Sequence, residues 1–88
     1  MANPTKVDAA FIHSAVSIYK FAKKNYEPFS NEYEEAMDEF YSACSDACHG
    51  VYGPIANVIS AVLDYRPEVG ASFVCTVLQF ALGIEVEG

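Results

Sequence analysis

Apolar positions recur along this chain with a helical period in successive stretches, each closed by proline or glycine. In the first, Val7, Phe11, Ala15, Ile18, Ala22 and Tyr26 step by three and four residues, which places them on one helix face. Ile12, Val16 and Tyr19 widen that face. Asn3-Pro4 reads as the helix start, with Asn as N-cap and Pro in the first turn, and Pro28 as its end. A second stripe, Tyr33, Met37, Phe40, Cys44, Ala47 and Val51, follows a cap at Ser30 or Asn31 and breaks or kinks at Gly50 and Gly53. Pro54 opens a third helix through Ile55, Val58, Ile59, Val62, Leu63 and Tyr65, ended by Arg66-Pro67 because the residue before proline avoids the helical region. Pro67-Glu68 reads as the start of a fourth, carrying Phe73, Val74, Cys75, Val77, Leu78, Phe80 and Leu82, with Gly83 as its C-cap. β-Branched residues are dense in Val69–Ile84, so a strand competes there; length and the Pro/Gly punctuation favour helix. Glu85–Gly88 reads as a frayed tail.

Charge divides the chain sharply. Glu27–Asp46 holds seven acids and no base, whereas Ala47–Ile84 carries only Asp64, Arg66 and Glu68, all in one short break. The pattern describes a solvated acidic helix joined to an apolar helical hairpin. The expected fold is therefore all-α: one domain over residues 1–88, a compact four-helix unit with an apolar C-terminal hairpin. A chain of 88 residues hides only about 60–65% of its unfolded surface, yet 52% of its residues are hydrophobic. The last two helices are apolar nearly all round, where a bundle helix ordinarily buries a single stripe. Self-association follows as an expectation, with Phe73, Val77 and Phe80 at the interface between copies.

The net charge of −7 argues against direct nucleic-acid binding, which needs cations against phosphates, and disfavours anionic membrane surfaces. It suits a protein partner with a basic surface. The uncharged runs Ala47–Leu63 and Val69–Ile84 span 17 and 16 residues, short of the ~20 that cross a bilayer. Met1–Lys6 is polar and the following apolar stretch is interrupted by Asp8, His13 and Lys20, unlike a secretory leader. Three cysteines do not close a disulfide framework, and a reduced, cytoplasmic setting is the simplest expectation.

Catalytic motifs are lacking. His13 has no acid beside it in sequence, and Ser, His and Asp occur in no nucleophile elbow. The one cluster of ligand-like residues is Cys44, Cys48 and His49. Cys44 and Cys48, four apart, share a helix face, while His49 points elsewhere. A zinc site there would need a fourth ligand from Cys75 or His13, and the spacing is one residue too long for haem attachment. Cys44 continues the inner stripe, so packing accounts for it better. No enzyme activity, metal or cofactor is expected.

Val51-Tyr52-Gly53-Pro54-Ile55 and Phe73-Val74-Cys75-Thr76-Val77-Leu78-Gln79-Phe80 resemble the corresponding helices of saposin-like domains, as do the length, helix count and acidity. On that resemblance Cys44 and Cys75 stand at the third and fifth of the family's six cysteines. Ala81 takes the place of the last, and Ala10 and His13 stand where the opening pair would be. Cys48 lies too close to Cys44 for the family spacing, and Pro67–Cys75 is a turn too long. The resemblance implies a lipid- or membrane-interacting module.

The residues themselves point elsewhere, to a small acidic, non-enzymatic protein acting through protein–protein interaction. Phage-type anti-defence inhibitors, nucleic-acid mimics and toxin immunity proteins are of this kind. Helical acids three and four apart stand about 5–6 Å from one another, a spacing like that of backbone phosphates. Candidate partner-binding residues are Glu32, Glu35, Asp38, Glu39 and Asp46 on the second helix, with Tyr52 and Tyr65 as aromatic contacts on the apolar hairpin.

Overall fold

A computed structural model describes residues 6–48 and 51–87. Four helices form among them: α1 (Ala9–Asn25), α2 (Asn31–Cys48), α3 (Gly53–Tyr65) and α4 (Ala71–Leu82). Two short strands, β1 (Lys6–Asp8) and β2 (Glu85–Glu87), flank them. α1 and α2 make the principal helix pair, α3 packs on α1 and α2, and α4 covers α1 and α3.

The helix starts show local chemistry at work. Asp8 caps α1, its carboxylate accepting from the Ala10 N–H at 2.9 Å. Ser30 is the cap of α2: its hydroxyl accepts from the Tyr33 N–H at 3.1 Å and donates to the Glu27 carbonyl at 2.7 Å. Pro54 sits in the first turn of α3, where its missing N–H costs nothing. Gly83 ends α4 in the left-handed region, φ 63°, which only glycine adopts without a Cβ penalty.

Three expected boundaries are corrected. α1 does not run from Asn3-Pro4, which lie outside the described residues; it begins at Ala9, and Val7 belongs to β1 instead. α4 does not start at Pro67-Glu68. The Val69 N–H donates to the Arg66 carbonyl at 3.2 Å, so Pro67 occupies the second position of a turn, a place its fixed φ suits as well as a helix start. Arg66 braces that turn through Glu68 at 2.7 Å. The tail is not frayed over Glu85–Glu87: it pairs in parallel with Lys6–Asp8, Val7 opposite Val86. Ile84 and Val86 turn inward while Glu85 and Glu87 face out, the two-residue period of a strand. The break expected at Gly50 lies outside the described residues.

The core is Ile12, Val16 and Tyr19 of α1, Phe40 and Cys44 of α2, Ile55, Ile59 and Leu63 of α3, Val74 and Leu78 of α4, with Val7 and Ile84 sealing the strand end. Among the described residues no polar or charged residue is buried. Phe40, at 1% exposure, is the largest side chain at the centre and meets Tyr19 with ring centroids 5.0 Å apart. Full burial of a side chain of this class contributes about 1.5–3 kcal/mol. The second stripe is correct at Phe40, Cys44 and Ala47, but Tyr33 and Met37 are only half-buried and Val51 is exposed beyond the helix. The first stripe is rotated. Ala15 and Ala22 of the expected series are buried, but they share the buried side with Ile12, Val16 and Tyr19, whereas Phe11 lies exposed and Ile18 half-buried at its edge.

Candidate functional site

That rotation leaves apolar side chains on the surface, and they do not lie at random. Phe11, Ile18 and Phe21 recur at helical spacing along the flank of α1 that borders α2. Ser14 and Ser17 interleave with them. Facing them from α2 are Glu32, Glu35, Glu39 and Asp46. The two rows enclose consecutive hollows, one of about 410 Å3 containing Phe21, Tyr26, Glu32 and Glu35, and one of about 370 Å3 containing Phe11, Asp38 and Asp46. Ile18 and Glu39 line both, so the hollows form one groove along the α1–α2 seam. One wall is apolar and aromatic, the other acidic. Phe21 and Tyr26 stand edge to face at 5.6 Å at one end, which holds both rings in place.

The acids on this wall are electrostatically unanswered. The three ion pairs among the described residues join Lys6 to Glu87, Lys23 to Asp64 and Arg66 to Glu68, and none uses an acid of α2. Carboxylates at the start of a helix complement its dipole, which accounts for Glu32 and Glu34. Glu39 and Asp46 have no such explanation. Asp46 stands near the C-terminal end, where a negative charge opposes the dipole and no Lys or Arg occupies the last turn. Like charges three and four apart cost about 0.2–0.5 kcal/mol per pair. Local choices that run against stability concentrate where something else needs them.

The candidate residues separate into groups. Glu32, Glu35, Glu39 and Asp46 are brought together on the groove wall. Asp38 sits on the outer rim, bordering the groove on one side and a hollow beside Tyr41 and Tyr52 on the other. Tyr52 joins that rim, its ring 6.0 Å from Tyr41. Tyr65 does not join it: Tyr52 precedes α3 and Tyr65 ends it, which separates them by about 20 Å of helix. On α4, Phe73 and Phe80 are 45% and 86% exposed and Val77 is half-buried, so the three share the outer side of the helix while Val74 and Leu78 face in.

The cysteines are placed by packing. Cys44 is fully buried, and burial pushes its thiol up to about 12. Burial raises the Cys75 thiol as well. Cys48 directs its sulfur at the Val51 carbonyl, 3.2 Å away. All three are free thiols. Among the described residues no group of three or more His, Cys, Asp or Glu is arranged to hold a metal; His49 lies outside them. His13 is exposed on α1.

The apolar wall of the groove was the part that sequence reasoning missed. Phe11 and Ile18 belong to the stepping series and read as core, and Phe21 falls outside it. The signal was the width of the stripe, since apolar residues at 11, 12, 15, 16, 18, 19, 21 and 22 exceed what one core-facing side accommodates. Among the described residues no helix is long and apolar enough to cross a membrane. No family model, curated protein or solved structure matches this chain significantly.

Proposed function

We propose that this chain is a small acidic, non-enzymatic binding protein that captures a basic segment of a partner protein in the α1–α2 groove. The observation that carries this is the juxtaposition of an acidic row, Glu32, Glu35, Glu39 and Asp46, that makes no ion pair among the described residues, with an apolar row of exposed Phe11 and Phe21 and half-buried Ile18. An amphipathic helix with apolar residues at i, i+3/i+4 and i+7 and Lys or Arg beside them is complementary to both walls. Its apolar side chains would cover the phenylalanines, and its cations would relieve the repulsion within the acidic row. The phenyl faces of Phe21 and Tyr26 add cation–π contacts to an arriving Lys or Arg. An inhibitor or immunity protein acts through a surface of this kind, because blocking a partner requires contact and no chemistry.

The test is association of the chain with a peptide of Leu and Lys at helical spacing, followed across about 50–500 mM salt, a range over which the screening length falls severalfold. Capture in the groove requires affinity to fall steeply with salt, and amide shifts to map to 11–21 and 32–46. Affinity independent of salt, with shifts confined to α4, overturns it.

Self-association through the outer side of α4 belongs to the same proposal. Phe73 and Phe80 are exposed on a helix that packs on α1 and α3 rather than on α2, so copies pairing there would leave the α2 acids free. The saposin-like alternative draws on the same exposed rings as lipid contacts. Co-sedimentation with neutral vesicles separates the two, since a lipid module needs only an apolar surface for its rings, whereas the groove needs a partner that brings cations.

A further inference from the structure

The opposite flank of α1 has the reverse character. Between its C-terminal half and the α3–α4 turn lies a cavity of about 590 Å3, within the range of small-molecule sites. Lys20, Lys23 and Lys24 line it, three of the five basic residues in a chain of net charge −7. Leu63, Pro67 and the ring of Tyr19 supply an apolar floor. The carboxylate in the cavity, Asp64, is already engaged: it accepts the Tyr19 hydroxyl at 2.7 Å and pairs with Lys23 at 3.5 Å. Lys23 is held further by the rings of Tyr19 and Tyr33, at 5.7 and 6.0 Å from their centroids. Asp64, Tyr19 and Lys23 thus form a braced wall. Lys20 and Lys24 make no ion pair among the described residues; the Glu68 carboxyl is held low chiefly by its hydrogen bond from Arg66, with Lys20 a lesser contributor.

Complementing the helix dipole accounts for Lys23 and Lys24 in the last turn of α1. It does not account for Lys20, a turn earlier, or for a concavity floored by Leu63 and Pro67. We infer that the cavity binds a small organic anion: a carboxylate or phosphate group between Lys20 and Lys24, on an apolar body resting against Leu63, Pro67 and Tyr19. Exposed ammonium groups alone hold a bare anion weakly, because water screens them. The apolar floor adds the burial that selects an anion with a hydrocarbon body over inorganic phosphate.

The experiment titrates the full chain with 1-naphthyl phosphate and 1-naphthoate, followed by amide NMR, with neutral 1-naphthol and inorganic phosphate as comparators. The expected result is saturable shifts at residues 19–24 and 63–67 for both organic anions, with both comparators at least tenfold weaker. Lys20→Glu with Lys24→Glu should weaken the anions tenfold or more, about 1.4 kcal/mol, and leave the helical circular dichroism unchanged. If that double variant does not fold, Lys24→Gln alone should still weaken them measurably. Three results overturn the site: no saturable shift, shifts centred on Phe73 and Phe80, or equal binding of 1-naphthol.

Discussion

The two flanks of α1 are built from one helix and share one core, yet they present opposite surfaces. Toward α2 the helix shows Phe11, Ile18 and Phe21 beside carboxylates that make no ion pair among the described residues. Toward α3 it shows lysines beside a carboxylate that is doubly engaged. The difference lies in how far each flank satisfies itself. Asp64 is met by the Tyr19 hydroxyl and the Lys23 ammonium, whereas Glu32, Glu35, Glu39 and Asp46 find no cation among the described residues. A long open groove whose charges are left unanswered suits a macromolecular partner that brings the missing cations. A cavity with a braced wall and two unpaired lysines suits something small.

The largest expected effect removes both flanks together. Phe40→Ala empties the centre against which Tyr19 packs and should cost about 3–5 kcal/mol, a large share of the ~5–15 kcal/mol that holds a domain folded. Urea unfolding checks it, and a loss below about 1 kcal/mol would show that the flanks do not depend on this common core.

Reversing Glu35, Asp38 and Glu39 to Lys addresses the groove and its outer rim and leaves the lysine side untouched. Association with a basic partner should slow by tenfold or more at low salt, because the acidic row no longer steers encounter. Helical circular dichroism should not change. Unaltered association kinetics would shift attention to Tyr52 and the exposed rings of α4.

The core between the flanks should respond to alkali. Burial raises the Cys44 thiol from 9.0 to about 12, and burial followed by the bond to Asp64 raises the Tyr19 hydroxyl too. A group whose folded pKa is raised contributes stability that is complete below its unfolded pKa and is lost as pH climbs toward the folded one. Stability should therefore hold to pH 9 and then fall toward pH 12 for the thiol, by at most about 1.4 kcal/mol per pH unit for each group. Cys44→Ala should flatten the first part of that decline, and unfolding midpoints measured from pH 8 upward are the check.

Tyr19→Phe sharpens the view of the cavity side. Deleting the hydroxyl removes the 2.7 Å bond to Asp64 at a cost of about 1 kcal/mol, and should loosen Lys23 without touching the groove. Amide shifts centred on 19–24 and 63–67, with lesser ones at Tyr33 and Phe40 where Lys23 and the Tyr19 ring touch α2, would agree; a disturbance reaching Phe11 and Asp46 would mean that the flanks communicate.

The smallest change in folding stability is expected on α4. Phe80 is 86% exposed, so Phe80→Ser should move stability by less than about 0.5 kcal/mol. Light scattering should place the natural chain above 9.6 kDa and the variant at or near it. A natural chain that already scatters as a monomer would remove α4 from the proposal and leave the groove as the surface to pursue.

Much of this architecture was legible residue by residue. Ser30, Pro54 and Gly83 announced their helix ends because capping is local chemistry, decided within four residues. Phe40, Cys44 and Ala47 were legible as core because α2 carries one narrow apolar stripe. Pro67 misled, since a turn and a helix start want the same φ from it. β1 and β2 could not be read at all. Each is three residues long, and their pairing joins Lys6 to Glu85 across nearly the whole chain. The acidic wall was visible in the sequence as unpaired carboxylates on α2, but its apolar counterpart was not, because an exposed Phe11 and a buried Ile12 look alike until a neighbour decides which is covered.

The sequence by itself determined the four helices, the acidic character of α2 and the apolar character of α3 and α4, all of which follow from periodicity and composition. Only the tertiary structure decided which side of α1 turns inward. α1 carries more apolar side chains than one core contact can hide, and the docking of α2, α3 and α4 selects Ile12, Val16 and Tyr19 for burial. Phe11, Ile18 and Phe21 are left beside the carboxylates of α2, and the lysines are left around Leu63 and Asp64. Helical periodicity is a property of a few consecutive residues; which face is buried depends on segments tens of residues away, and that choice creates both surfaces.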